Sequence, residues 1–441
     1  MASTHLTRTS GTSTNTDIFT ISTWVKRNEL DDNDFFVYAT GGNSDDNWFQ
    51  VGFANDNKFI ISAYNTVWLK TNRVFRDVNA WYHIVIKADS PQGTASNRLK
   101  LYVNGVEETS FTTDNRSSIS QSQTWGWNKN SIVHYIGSKA GSNYFDGCLS
   151  HFHFSDGYAY DASTFGSTDS TTGEWKINTS PSFTLGTNGF TILKDGNTIT
   201  DQSTNSNNWT LAGGTLTKTE DCPSNVFATL NVLERLGSNI TISNGNTQFF
   251  NQASDWRTII SNLAFPNTGK FYAEMQVNEV SSAVQVGIMA QSSFVGHYQA
   301  DLGTQGAYNS YAYMNTGQKR TNNSASSYGN SFGNPVIIGI AVDMDNKNMY
   351  FSKDGVWQNS GNPESGSTGT GAPFTDLQID KDYCFAVASQ GSNPKVSWNF
   401  GNGYFGTTAV SSAGTNASGN GIFEYDVPTG YTALSTKGLN L

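Results

Sequence analysis

Cysteine, proline and charge are all scarce in this chain of 441 residues. The three cysteines, Cys148, Cys222 and Cys384, lie far apart and are odd in number. They form neither a disulfide framework nor a zinc knuckle, and read as inert thiols. Only 14% of the chain is charged, and the net charge of −10 is spread over both halves. No run of Lys and Arg exists to track a phosphate backbone, which excludes nucleic acid as a partner. Acidity of this size mainly favours solubility. The longest apolar run, Val336 to Val342, is interrupted by Gly339 and is too short to span a bilayer, so no membrane insertion is expected. Met1-Ala2-Ser3-Thr4-His5 has neither a basic region nor an apolar core, so it is no secretory signal. The product is therefore expected to be made in a cytoplasm. No heptad stretch or β-helix repeat marks a fibre shaft, and no sequence repeat links the two halves.

What fills the space is glycine (43 residues, against 9 prolines), together with Asn, Ser and Thr. Asn and Gly accept turn dihedrals and Thr suits a pleated surface, so the mixture predicts many short strands joined by turns. The 27 Phe, 19 Tyr and 11 Trp supply the apolar area for complete cores. Residues 225–236 are the best helix candidate, and they also fit an extended connector.

Trp81-Tyr82-His83-Ile84-Val85-Ile86-Lys87 and Leu99-Lys100-Leu101-Tyr102-Val103 alternate apolar and polar residues, as half-buried antiparallel strands do. Asn104-Gly105 follows, a pair that tolerates the positive φ of a tight turn. This set resembles the centre of a laminin-G or pentraxin-like jelly roll, the concanavalin A-like lectin fold. Phe19 to Lys26 resembles that family's opening strand. Tyr144 to Phe154 resembles its closing strand, where an aromatic-x-Gly turn leads back beside the first strand. Gly186 to Thr210 extends the unit and resembles a tail attached to such domains in bacteriophage proteins, especially marine ones.

Gly213-Gly214 and Pro223 mark a break, and the boundary is placed at 1–221 and 222–441. In the second half, Ile337 to Asp345 leads into Asn348 to Trp357, which contains an Asp-Gly turn followed by an aromatic. With Val396-Ser397-Trp398-Asn399-Phe400-Gly401, this order resembles the SPRY core. The ending Val427-Pro428-Thr429-Gly430-Tyr431 resembles that of phage virion proteins. The expected fold class is all-β, two antiparallel β-sandwich domains of jelly-roll type in tandem.

Candidate chemistry is sparse. Glycosidases on lectin-like sandwiches set paired carboxylates along one strand, often as Glu-x-Asp-x-Glu. Glu29 to Asp34 and Glu424 to Asp426 come nearest, and both lack the final Glu. No Gly-x-Ser-x-Gly elbow and no phosphate-binding loop is present, so no catalytic residue is assigned. His151 and His153 are two apart on a strand, sharing a face, and are expected on a polar outer surface above a core filled by Phe152 and Phe154. Related domains carry calcium at the sandwich rim. The resemblance makes Asp31, Asp32 and Asp34, or Asp45 and Asp46, the residues that would hold it. Trp125 and Trp127, and Tyr308, Tyr311 and Tyr313, lie in polar stretches, where exposed rings flanked by amides suit carbohydrate.

These readings lead to a non-enzymatic protein on the surface of a phage virion. It is expected to be a tail fibre or adhesin touching host glycan. A decoration protein of the capsid or another virion part, and a polysaccharide-degrading hydrolase, are the alternatives. The implied partners are other virion proteins, host surface polysaccharide and further copies of the chain.

Overall fold

The computed structural model describes residues 3–30, 32–194, 198–235, 238–280, 282–293, 301–304, 306, 309–391 and 393–440. The chain divides into two compact units, Met1–Lys218 and Thr219–Leu441. Each is a sandwich of two largely antiparallel sheets. Among the described residues there is no α-helix, and the helical turns are short 3₁₀ segments. The helix candidate at 225–236 supplies a strand instead, Leu230–Arg235.

The strands of the first unit are β1 (His5–Thr9), β2 (Ile18–Arg27), β3 (Asp34–Thr40), β4 (Trp48–Phe53), β5 (Lys58–Ser62), β6 (Val67–Val74), β7 (Tyr82–Asp89) and β8 (Leu99–Val103). They continue with β9 (Val106–Glu107), β10 (Phe111–Asp114), β11 (Val133–Ile136), β12 (Gly147–Asp156), β13 (Gly166–Thr168), β14 (Trp175–Ile177), β15 (Phe190–Ile192) and β16 (Thr210–Gly213). The larger sheet runs β10-β6-β5-β4-β3-β11-β1-β16 and the smaller β15-β12-β2-β7-β8-β9. The closing strand β12 does lie beside the opening strand β2. Alternation sends Phe19, Ile21 and Val25 of β2, and Ile84 and Ile86 of β7, into a core shared with Val37, Phe49, Val51 and Ile61 of the larger sheet.

The second unit contains β17 (Leu230–Arg235), β18 (Ile240–Ser243), β19 (Gln248–Asn251), β20 (Arg257–Ala264), β21 (Lys270–Glu279), β22 (Ala283–Ala290), β23 (Ser310–Met314), β24 (Gln318–Thr321) and β25 (Ser324–Ser327). Then come β26 (Val336–Asp343), β27 (Asn348–Lys353), β28 (Val356–Trp357), β29 (Tyr383–Gln390) and β30 (Lys395–Asn399). Its sheets run β17-β20-β29-β22-β23-β24-β25 and β18-β19-β30-β21-β26-β27-β28.

The two units share one connectivity. Strands β20 to β30 retrace β1 to β9, β11 and β12, each in the same sheet and beside the same neighbours. One turn repeats at atomic detail. In the first unit the Asn104 side chain accepts the His83 amide at 2.8 Å, while the Asn104 amide donates to the His83 carbonyl at 2.9 Å. In the second, Asp354 makes the same pair with Ile337 at 2.9 and 2.8 Å. Both turns need left-handed backbone, with φ of 48° and 79° at Asn104-Gly105 and 48° and 78° at Asp354-Gly355. A ring lies on each glycine: a Cβ on Gly105 would meet Trp175 at 2.2 Å, and one on Gly355 would meet Tyr425 at 2.6 Å.

Those rings belong to segments that follow β12 and β30 and fold over the outer face of the sheets these strands belong to. In the first unit, residues 157–185 bring Tyr160, Phe165, Trp175 and Phe183 onto Val85 and Tyr102. This covering corrects the expectation for the histidines: His151 and His153 are 7% and 2% exposed, not a solvated pair. Phe152 and Phe154 fill the core as expected. His153 stacks on Phe165 at 5.7 Å and bonds Thr191 at 3.0 Å. His83 lies between Trp24 and Trp175 and accepts the Trp175 indole N–H at 3.0 Å. In the second unit Phe423, Val427 and Tyr431 cover Tyr272, Ala341 and Tyr350. There the buried Glu274 accepts the backbone N–H of Glu424 and Tyr425 at 2.8 and 2.9 Å, and the Tyr272 hydroxyl at 3.1 Å.

The aromatic sugar candidates are core residues. Trp125 and Trp127 are 0% and 1% exposed. Their loop turns into the open end of the sandwich, so that Trp125 meets Trp68 edge-on at 5.0 Å and donates to the Asp17 carbonyl at 2.8 Å. Trp127 packs against His134 and Trp209. Gly126 permits this approach, because a Cβ there would meet the Trp48 amide nitrogen at 2.6 Å. Tyr311 and Tyr313, two apart on β23, both face inward and are fully buried. The Tyr311 hydroxyl donates to the Asp376 carbonyl at 3.0 Å, and that of Tyr313 donates to the Asn330 carbonyl. Tyr308 lies outside the described residues.

Two outcomes follow for stability. Trp125→Ala removes a fully buried indole from the first core, and denaturant unfolding is expected to register a loss of about 3–5 kcal/mol. The second concerns pH. Burial pushes the imidazoles of His83 and His153 down to about 3 and that of His134 down to about 4, from 6.5. The unfolded first unit therefore binds more protons than the folded one between pH 6.5 and about 3. Its stability is complete above that window and drains as acid is added. Asp34, pushed up to about 7 by burial, opposes part of the loss. In the second unit burial pushes Glu274 up to about 7, so stability there is lost as pH rises through 7 and kept on acidification. Calorimetry between pH 7 and pH 5 is expected to lower the first unit's transition by roughly 10 °C and not the second's. His153→Phe should shrink that fall, and parallel movement of both transitions would contradict the assignment.

Candidate functional site

The larger sheet of the first unit carries rings on the face turned away from its core. Along β3, β4 and β11 the inward positions are Val37, Val51 and Ile136. The neighbours between them point out. Tyr38 sits opposite Tyr135 on one side and Gln50 on the other, Tyr135 opposite Thr7, and Gln50 opposite Ser62. From this register comes a line of rings. Tyr64 meets Trp48 at 5.2 Å, Trp48 meets Tyr38 at 5.0 Å, and Tyr38 meets Tyr135 at 5.7 Å. His5 then lies 6.3 Å from Tyr135 and 5.7 Å from Tyr144.

Within this row Tyr38 is the floor, at 2% exposure, and burial raises its phenol above the usual range. Trp48, Tyr135 and Tyr144 are half-buried, and Tyr64 is 43% exposed. The Trp48 indole N–H donates to Gln50 Oε1 at 3.2 Å, and Gln50 Nε2 donates to Ser62 Oγ at 2.8 Å. The Lys139 ammonium stands 5.1 Å from the Trp48 ring and 5.6 Å from the Phe35 ring. Half-exposed rings beside a fixed amide and hydroxyl can stack on a flat apolar ligand face and meet its polar rim. Nothing in the row pairs a nucleophile with a base.

The corresponding face of the second unit is built in the opposite way. Its central row across β29, β22 and β23 is Ala386, Gly287 and Ala312. Leu302 packs onto this small-residue surface, and Arg320 forms an ion pair with Asp301 beside it. The same position in one topology is thus aromatic and half-open in the first unit, and flat and covered in the second.

None of the residues singled out in the sequence belongs to the row. Asp31 lies outside the described residues. Asp34 is buried against Arg27 at 3.4 Å, and the guanidinium also donates to Asn57 and the Phe75 carbonyl. Asp32 accepts the amide of Asn33 at 2.7 Å on the surface. Asp45 is taken up by the Asn65 amide and the Thr66 hydroxyl, both at 2.7 Å, whereas Asp46 accepts from Gln123. Both carboxylate oxygens of Asp45 are thus taken by protein donors. Among the described residues no group of three or more His, Cys, Asp or Glu is gathered as a metal requires. Calcium needs six to eight converging oxygens, and the bonds of Asp34 and Asp45 turn their carboxylates to protein donors instead. The other acidic pair is spent on loop backbone, with Glu424 on Ser411 and Asp426 on Thr415.

Comparison with known proteins agrees with this architecture. The model of the concanavalin A-like lectin/glucanases superfamily matches residues 2–163, and that of the SPRY domain matches residues 268–403. No curated protein matches the chain. Among solved structures, the SPRY domain of human HERC1 is similar at 15% identity and a TM-score of 0.30, covering 38% of this chain and 96% of that one. A human SPRY domain is similar at 14% identity and a TM-score of 0.29, covering 36% of this chain and 94% of that one. A concanavalin A-like domain and a SPRY domain thus stand in tandem in this protein.

Proposed function

We propose that the protein is a non-catalytic binding protein whose first unit holds a polysaccharide across the aromatic row of its larger sheet. The observation that carries this reading is the outward line Tyr64, Trp48, Tyr38, Tyr135 on a face that a solvated sheet would fill with polar residues. Sugars have apolar ring faces and hydroxyl rims, and the row offers rings with Gln50 and Ser62 beside them. Laminin-G-like and SPRY domains are typically binding modules, which accords with a row that holds and does not cleave. The resemblance of the tail and the ending to bacteriophage proteins supplies the setting, an adhesin on the virion surface that meets host glycan.

Trp48→Ala and Tyr135→Ala are each expected to weaken binding to host surface polysaccharide by about tenfold or more, as glycan arrays or calorimetry would read. The unfolding midpoint should move little, because both rings are half-solvated. Trp357→Ala in the second unit serves as the control that leaves affinity unchanged. Unaltered affinity in both row variants would end the reading. Incubation with the same polysaccharide is expected to release no reducing ends, and sustained turnover abolished by a carboxylate substitution would replace binding with hydrolysis.

A further inference from the structure

The row carries one cation, and that cation has a bearing on the chemistry of the ligand. Lys139 follows β11, and its ammonium is held against two ring faces, 5.1 Å from Trp48 and 5.6 Å from Phe35. Such a position is favourable for a cation, yet it leaves the charge uncompensated. Among the described residues no carboxylate lies within ion-pair distance of Lys139, although the chain carries ten more acidic than basic side chains. The other charges on this face lie on β5, β6 and the turn before β5. Asp56 is held between Lys70 at 2.9 Å and Lys58 at 4.0 Å. That cluster has a positive excess too. Asp45, near Tyr64, is engaged by the Thr66 hydroxyl. Lys139 is thus a cation of this face with no ion-pair partner among the described residues, in a protein of net charge −10.

We infer that the ligand of this face is an acidic polysaccharide bearing sugar carboxylates, with Lys139 as its charge-selecting residue. The inference rests on the reading of the row as a sugar-binding face. The choice of carboxylate over sulfate follows from the kind of cation present. Lys139 is a compact, strongly hydrated ammonium, which pairs better with the concentrated charge of one carboxylate than with the diffuse charge of a sulfate. A ring seated on Trp48 brings its exocyclic carboxylate within reach of the ammonium that shares the same indole. Neutral rings still stack, so the lysine sets preference and the rings set affinity.

The test uses the full chain and two hexuronate polymers, polygalacturonate and alginate, each as free acid and as methyl ester. The ester keeps the ring and removes the charge. At low salt the wild-type protein is expected to prefer at least one free acid over its ester by about fivefold, with the preference fading as salt is added. Lys139→Gln should bring acid and ester to parity while leaving the ester affinity unchanged. Trp48→Ala should weaken both forms together. A wild type without preference, or a preference that survives Lys139→Gln, overturns the inference and leaves the aromatic reading standing. Failure of every polymer to bind, or binding indifferent to Trp48→Ala, overturns both. A sulfated galactan bound more tightly than either hexuronate, in a Lys139-dependent way, overturns the carboxylate assignment.

Discussion

A two-layer sandwich buries one face of each sheet and turns the other face outward, and what this chain does with those outward faces decides most of its remaining structure. In both units the sheet built on β2 and β7, or on their counterparts β21 and β26, is too apolar outside to stand in water. Val85 and Tyr102 in one unit, and Tyr272, Ala341 and Tyr350 in the other, demand a cover. The chain supplies it from the segment that follows β12 or β30, and each cover places a ring on the glycine of the same tight turn. Covering a sheet face also traps the polar groups that stood on it. His83 and His153 lose their water and become hard to protonate, and Glu274 becomes a buried carboxyl held by backbone amides. These three buried titratable groups are a consequence of roofing the sheet, and each has a partner in the roof or beside it.

The other sheet of each unit solves the same problem in its own way. In the second unit the outward row is Ala386, Gly287 and Ala312, a flat strip on which Leu302 lies. In the first, bulky rings cover one another, with Tyr38 nearly buried by its neighbours and Trp48, Tyr135 and Tyr64 left accessible. Rings arranged edge to face satisfy part of their apolar surface without a roof, and what remains open is a surface suited to a ligand with flat apolar faces. Shared topology makes this contrast informative, because the two rows occupy the same strands in the same order.

Much of the architecture was legible in the sequence. The Asn104-Gly105 and Asp354-Gly355 turns follow from turn chemistry and period-two alternation, and the return of Gly147–Asp156 beside the opening strand is what the resemblance to laminin-G-like domains implied. The repeated connectivity was not, since no sequence repeat accompanies it; alternation and turn positions fix topology without fixing side-chain identity. The candidate site was missed for a different reason. Local polarity does not signal exposure at sandwich ends. Trp125 and Trp127 sit in a polar loop that turns inward to close the core, and Asn309 and Asn315 merely flank a strand whose tyrosines face in. A usable signal was present in Phe35-Phe36-Val37-Tyr38-Ala39 and in Trp48-Phe49. Such strands are apolar on both sides, so one aromatic face has to be covered or used.

The two sandwiches came from family resemblance, while from composition and pattern came an all-β chain, the turns that join its strands, and the absence of a basic track for nucleic acid. These are local or additive properties, readable residue by residue. Only the tertiary structure decided which rings stand on an outer face, which aspartates are already spent on Arg27, Thr66 and Gln123, and which imidazoles are roofed. Each of those depends on register between strands far apart in the chain, and on where a covering segment comes to rest. Neither quantity is carried by any single stretch of sequence.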